Sequence, residues 1–545
     1  MAKRNAVKPP LRVAILERLL KSDEERVMKG LSRQLGVEQR RDESPVDLGE
    51  RVPVELPPPL AADLAHFASL KQESQEFAYS VGAIVEPAAR LAGSGHDGEV
   101  DIADVTAETT DLLQQLIRNQ CVNEGTPESG HEVRSVDLLE SYLSSPGVEM
   151  KRYEPVPGRA SLVVRIEGSD PKARSLHFMG HTDVVPVTPS GWRHDPFAGE
   201  LIDGEVWGRG AVDMLDVTAA MAVAVRRLLD SGFRPKGTLL FSAVADEEAL
   251  GTFGASWLTE NAWDDVRTDY LVTEFGGMRF PLGDGTPRLP LIAAEKGSQW
   301  TKLRVRGTPG HGSMPYQADN ALVKAAEIVT RIAKYRAPLR LHSIWREFIG
   351  GLDLPAVERL ALTNAATFDV ALGRVPEGTA PMLYSATRTT FSPNVAHSGV
   401  KLNVIPDSAE VDIDIRTIAG DSGPKVREML KDAIGDLWGE VEIVAEGDNP
   451  ASESPTKTPL WETLTRVTRS LVPGAETIPF LIVGATDARY FRRKGVTAYG
   501  YGLMSDRISF KDFAKMFHGN NERIDQESLR LSTELFERTA REFLA

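Results

Sequence analysis

From about Asp101 the chain alternates short apolar runs with helical periods, and this rhythm limits the fold more than any other feature. Helical spacing over Thr106–Asn119 and Val133–Leu143 gives way to strand-like runs at Ser161–Ile166, Leu176–Met179, Thr238–Val244 and Asp269–Thr273. Helical patterns at about Met214–Asp230 and Phe253–Asn261 separate them. Strands alternating with helices predict an α/β layer, a mostly parallel sheet flanked by helices. In such sheets the functional residues gather beyond the carboxyl ends of the strands.

Between Ser298 and about Gly447 the rhythm changes. A strand (Trp300–Val305), a helix (Asn320–Lys334), a strand pair (Val400–Val404 and Ala409–Arg416), a helix (Lys425–Ile434) and a strand (Val441–Ala445) follow one another, with an irregular stretch over Tyr335–Pro393. This β-α-β-β-α-β order predicts an inserted ferredoxin-like α+β domain. The α/β pattern then resumes with a helix (Pro459–Leu471), a strand (Ile478–Val483) and a last helix (Gln526–Phe543). The expected organisation is therefore an N-terminal helical arm over 1–100, a first catalytic part over 101–297, an inserted domain over 298–447 and a second catalytic part over 448–545. Within the arm, helical patterns over Leu11–Leu35 and Ala61–Leu91 flank a polar, proline-rich linker over Arg41–Pro59, and no residue there carries evident chemistry.

The net charge of −15 argues against nucleic-acid or anionic-membrane partners, which favour clustered lysine and arginine. A single cysteine, Cys121, excludes an intrachain disulfide and suits a reducing, cytoplasmic setting. No run approaches the length of a membrane span.

Chemistry-bearing residues stand at the predicted strand ends. His181-Thr182-Asp183 closes one strand, and in extended backbone residues two apart face one side, so His181 and Asp183 project together. Asp213, after Gly208-Arg209-Gly210, opens a helix as either a cap or a ligand. Asp246-Glu247-Glu248 follows the next strand, where adjacent acids repel unless cations or donors neutralise them; a solvated acidic turn is the plainer alternative. Glu274 ends a further strand, and His518 sits in the loop Phe517-His518-Gly519-Asn520-Asn521-Glu522. Together His181, Asp213, Glu248, Glu274 and His518 form a nitrogen/oxygen set suited to zinc, cobalt or manganese. Five such ligands with one bridging carboxylate suit a two-metal hydrolytic site. Asp183 would then hydrogen-bond His181, and Glu247 would be the general base.

The ordered motifs His-x-Asp-x-Val-Pro, Gly-Arg-Gly-x-x-Asp-Met, Asp-Glu-Glu, a strand-end acid and a late His-Gly resemble those of the di-zinc amidohydrolases and exopeptidases. That family includes aminoacylase, carboxypeptidase G, acetylornithine deacetylase and succinyl-diaminopimelate desuccinylase. The resemblance covers roughly Asp101–Ala545. Gly310-His311-Gly312-Ser313-Met314-Pro315, Asn403-Val404-Ile405-Pro406 and the stretch Tyr335–Pro393 look closest to the N-acyl-amino-acid hydrolase and carboxypeptidase S branch.

The resemblance implies two divalent metal ions, zinc foremost. His181 and Glu274 would hold one, Glu248 and His518 the other, and Asp213 would bridge. It implies that His311 stabilises an oxyanion, often across a dimer, and that the inserted domain is a lid and dimerisation domain in a homodimer. Asn403 is a further polar contact, and Arg416 and Arg489 compete to receive the carboxylate of a small substrate. The implied reaction is hydrolysis of an amide or peptide bond in an N-acyl amino acid or dipeptide, with a metal-activated water and Glu247 as base. Two alternatives are an inactive metal- or ligand-binding protein on the same scaffold and a serine hydrolase using Ser313, although Gly312-Ser313-Met314-Pro315 is not a Gly-x-Ser-x-Gly elbow. One departure stands out: Leu215-Asp216 replaces the family's Lys-Gly after Asp213-Met214.

Overall fold

The computed structural model describes residues 102–545 other than 147, 284 and 377. The N-terminal arm, with its expected helices and linker, lies outside the described residues. In chain order the first strands of the main sheet are β1 (Glu149–Val156), β2 (Arg159–Ile166), β3 (Leu176–His181), β4 (Leu239–Val244), β5 (Tyr270–Thr273) and β6 (Arg288–Glu295). The inserted part contributes β7 (Thr301–Arg306), β8 (Thr390–Ser398), β9 (Ser408–Thr417) and β10 (Val441–Glu446). The chain then returns with β11 (Ser452–Glu453), β12 (Glu476–Ile482) and β13 (Thr497–Gly500).

Nine strands form the main sheet in the order β1-β2-β4-β3-β5-β13-β6-β11, with β12 also paired to β6. The central pairs β4–β3, β3–β5 and β5–β13 are parallel, as is β12–β6, while β1 and β2 extend the edge antiparallel. Strands β3 and β4 are buried along their whole length, which is why they read as unbroken apolar runs. The helix Leu215–Asp230 is apolar on nearly every side because the sheet and the helices Ile102–Arg118 and Gln526–Phe543 all cover it. Gly180 in β3 lets that helix approach, since a Cβ there would fall 2.3 Å from the Thr218 hydroxyl.

The inserted part forms a second sheet, β8-β9-β7-β10, with Gly297–Ser298 paired to β9. Its own core, including Leu303, Ile328, Val411, Ile415 and Leu430, lies between this sheet and the helices Ala321–Lys334 and Gly423–Ile434. The β-α-β-β-α-β order stands, but two local expectations do not. Val400–Val404 is not the partner of β9: the chain turns there, and Val400 and Leu402 are fully exposed. The partner is β8, whose polar residues and Pro393, at a register shift, hid it. The stretch Tyr335–Pro393 is not irregular either. It holds the helices Ser343–Gly351, Ala356–Leu362, Phe368–Leu372 and Ala380–Ser385. Ile344, Trp345, Phe348 and Phe368 from this stretch pack into the main core, not the core of the inserted sheet.

Candidate metal centre and substrate pocket

The ends of β3, β4 and β5 bring the predicted acids and histidines together. His181 is the last residue of β3, and Asp213 precedes the helix at Leu215. Glu247 and Glu248 occupy a single helical turn entered through Asp246, which takes a left-handed φ of 69°. Glu274 follows β5, and His518 lies in the loop after the helix Phe510–Met516. His181 Nε2 is 3.3 Å from Asp213 Oδ1 and 3.8 Å from Glu274 Oε2. His518 Nε2 is 3.1 Å from Asp213 Oδ2 and 3.2 Å from Glu248 Oε2. Two triads thus share Asp213, one carboxylate oxygen facing each histidine, and within each triad the donor atoms lie within 4.8 Å of one another.

The electrostatics favour cations at this place. Burial, reinforced by the charges of Asp213 and Glu248, pushes the Glu274 carboxyl up to about 8 despite a hydrogen bond from His181. Burial and the Asp213 charge likewise raise Glu248, and its Oε1 is buried with no partner among the described residues. Burial works against the charge of Asp213 too, but hydrogen bonds from both histidines outweigh it and hold this carboxyl low. Buried, mutually repelling carboxylates with an orphaned oxygen fit divalent cations of the zinc type.

Asp183 does something other than expected. The His181 Nδ1 lies 2.9 Å from the main-chain carbonyl of Asp183 and 3.6 Å from its carboxylate. The carboxylate instead accepts the backbone N–H groups of Glu247 and Glu248 at 3.2 and 3.1 Å, and the Asn123 side-chain amide at 2.9 Å. It fixes the acidic turn.

Behind that turn lies a buried ionic cluster that the sequence did not announce. Arg159 donates to both oxygens of Glu132 at 2.8 Å and to Asp246 at 2.7 Å, and all three side chains are buried. Glu522 was also missed. Buried without exposure, it pairs with Arg209 at 2.7 Å and accepts the N–H groups of Val212 and Asp213 at 2.8 and 3.1 Å. Its signal was present as an unassigned acid four residues after His518, with a buried arginine in Gly-Arg-Gly to answer it.

A cavity of ≈ 500 Å³ opens from the cluster. Asp213, Glu247, Glu248, Glu274 and His518 line one part of it. Burial and the neighbouring charges of Glu274 and Asp487 hold the Glu247 carboxyl well above the usual range. Arg416 and Trp300 of the inserted part reach the wall, and so does Arg489. Arg416 is engaged by Asp414 at 2.8 Å, whereas Arg489 is buried, donates from Nη2 to the Tyr490 hydroxyl at 3.4 Å, and has no hydrogen-bond partner for its Nε among the described residues. Most of the remaining wall is apolar, with Phe275, Met278, Phe280, Phe480, Phe510 and Phe517 prominent.

His311 and Asn403 lie beside each other, but neither lines this cavity. Gly310–His311 pairs with Val404–Ile405, and the Gly312 N–H donates to the Asn403 carbonyl at 2.8 Å. His311 is exposed, 2.7 Å from the Ser313 hydroxyl, so Ser313 too stands apart from the cavity. Leu215 and Asp216 feed the interior: Leu215 packs where Gly210 and Val184 meet it, and Asp216 is buried in the first helical turn.

Comparisons with known proteins agree with this geometry. The chain is 30% identical over 376 residues to human N-fatty-acyl-amino acid synthase/hydrolase PM20D1, covering 67% of this chain and 73% of the relative. It is 25% identical to aminoacylase-1 of Sus scrofa, covering 76% of this chain and 90% of the relative. Among solved structures, the fold matches an M20 family metallo-carboxypeptidase from Sulfolobus solfataricus with a TM-score of 0.61 at 18% identity, covering 80% of this chain and 99% of that one. Human carnosine dipeptidase 1 matches with a TM-score of 0.59 at 15% identity, covering 82% and 100%. The model of Peptidase family M20/M25/M40 matches residues 177–542, and the chain belongs to that family.

Proposed function

We propose that this chain, a metal-dependent hydrolase by its family, cleaves the amide bond of N-acyl amino acids that carry an extended apolar acyl chain. The observation that carries the reading is the cavity itself: acids and His518 at one part, an arginine in the wall whose Nε has no hydrogen-bond partner among the described residues, and an otherwise mostly apolar, phenylalanine-rich lining. The relative named for N-fatty-acyl amino acids supports it.

His181, Asp213 and Glu274 would hold one divalent cation and Asp213, Glu248 and His518 the other, zinc being the best fit and cobalt or manganese also suited. When bound, such a pair polarises the scissile carbonyl and acidifies a water. Glu247 takes the proton of the attacking water and returns it to the leaving nitrogen; burial favours this role by raising its proton affinity. Asp183 holds the turn so that Glu247 and Glu248 keep their separate tasks. Arg489 receives the substrate carboxylate, because among the described residues its guanidinium has no carboxylate partner and reaches only the Tyr490 hydroxyl at 3.4 Å, whereas that of Arg416 is held by Asp414. The apolar acyl chain lies along the aromatic wall.

The His311 loop and Asn403 would complete a site in a second copy of the chain. Exposed Met314, Tyr316, Leu322, Val323, Val400 and Leu402 on the same inserted part favour such a homodimer. A cytoplasmic setting rests on the single cysteine.

The test is turnover of metal-loaded protein on N-acyl amino acids from acetyl to palmitoyl, with dipeptides in parallel. Activity rising with acyl length, lost with EDTA and restored by zinc, cobalt or manganese, is expected. Activity indifferent to chelation would refute the metal reading and favour a serine nucleophile. Preference for dipeptides would refute the acyl reading.

A further inference from the structure

We propose that Phe280, backed by Phe348, forms the end wall of the apolar cavity and sets the longest acyl chain accepted. This rests on the acyl-chain reading above.

The aromatic lining falls into two groups. Phe275 directly follows Glu274, and Phe517 stacks on His518 with ring centres 4.6 Å apart. These two rings, 5.1 Å from each other, border the metal cluster. Phe280, Phe480 and Phe510 form the second group, with Phe280 5.9 Å from Phe480 and 5.4 Å from Phe510. Both groups line the cavity, and the second is backed by a further aromatic layer. Phe348 meets Phe280 edge to face at 4.9 Å and Phe480 at 4.9 Å. Phe348 is 1% exposed and does not line the cavity. The rings of Phe280 and Phe480 therefore mark where open space stops and close-packed interior starts.

Of the two, Phe280 is the adjustable one. Phe480 lies within β12, paired along its length to β6, whereas Phe280 lies in the connection between β5 and β6. Behind it stands the helix Ser343–Gly351, and Met382 of the helix Ala380–Ser385 reaches the cavity wall. The helical stretch between the ferredoxin-like elements thus supplies both a buttress and a wall residue to the main domain. Chain-length selection is built from this stretch.

Each methylene admitted to or excluded from apolar space is worth roughly fourfold in kcat/KM. The ratio of kcat/KM for palmitoyl- to octanoyl-alanine should rise about tenfold or more in Phe280→Ala, as space opens towards Phe348. It should fall about tenfold in Met382→Trp, which fills the wall from the helix Ala380–Ser385. Phe280→Leu is a milder opening variant if Phe280→Ala does not fold, and thermal melting of the metal-loaded full chain checks each protein. Wild type that favours long chains, with the same ratio in the folded variants, overturns the end-wall assignment. Wild type that favours acetyl substrates or dipeptides overturns the acyl reading instead.

Discussion

Replacing Arg159 by methionine tests whether the acidic turn is held by a buried charge network. The Arg159 guanidinium also donates to the Thr126 carbonyl at 3.0 Å and lies 5.4 Å over the Phe253 ring. Its removal leaves Glu132 and Asp246 buried with no counter-charge among the described residues. Breaking a buried ion pair from one side costs about 3–5 kcal/mol, far more than the pair contributes over an apolar replacement. The local path of the loss is visible: Glu132 accepts the Asp246 N–H at 3.2 Å, Asp246 accepts the Phe253 N–H at 3.0 Å, and Glu247 is the next residue. Urea unfolding of the metal-loaded chain should show a loss of about 3–5 kcal/mol. Arg159→Met/Glu132→Gln should recover part of it by discharging one of the stranded carboxylates. Turnover by folded Arg159→Met should fall through kcat more than through KM, since the turn presents Glu247 and Glu248. A loss under about 1 kcal/mol, or no recovery in the double variant, would refute the reasoning.

Three other outcomes follow from the same contacts. Asp183→Ala frees the N–H groups of Glu247 and Glu248, so kcat should drop about 10²-fold while metal content, read by atomic emission, stays near wild type, because the His181 partner is the main-chain carbonyl; loss of metal instead would return the carboxylate to the role first expected of it. Glu522→Ala leaves Arg209 unpaired and two N–H groups beside Asp213 without acceptors, so stability should fall by about 3 kcal/mol in urea and bound metal should decrease; retention of both would contradict the assignment. Lys296, buried and bonded to the Arg388 carbonyl and the Thr390 hydroxyl, is pushed down to about 7 by burial and by Arg416. The unfolded chain keeps this proton up to about 10.4. Between those values it binds more protons than the folded chain, so the lysine's destabilising contribution, roughly 4–5 kcal/mol when fully charged, is relieved as pH rises from 7 towards 10. Lys296→Met should therefore gain stability relative to wild type at pH 6 compared with pH 9, and a pH-independent difference would sink the idea.

What the sequence made legible, and what it hid, divides along a physical line. His181, Asp213, Glu248, Glu274 and His518 could be found because each stands where a patterned segment stops or, for Asp213, starts, and a polar group at such an end has few reasons to be there. Leu176–His181 and Leu239–Val244 were readable for the complementary reason: burial on both faces leaves an unbroken apolar run. Strand β8 broke both rules. Half exposed, shifted in register at Pro393 and rich in polar residues, it carries no period, while Val400 and Leu402, on an exposed turn just before the short strand Val404–Ile405, imitate a longer strand. The four short helices over 343–385 escaped because none is long enough to show a stripe, although Trp345 and Phe348 anchor them in the main core. The deeper omission was of partnerships. Arg159, Glu132 and Asp246 are far apart in the chain, and nothing in the spacing of any one of them forecasts that a single guanidinium serves both acids. Asp183 shows the same limit at short range. Spacing put its side chain beside His181, but the tight turn at Asp246 presents two N–H groups to that carboxylate, and two unpaired, partly buried donors cost more than one imidazole contact already supplied by a carbonyl. Residue types at strand ends thus identify what a site can bind, whereas the backbone donors left over by the fold decide which acid binds and which one holds the others in place.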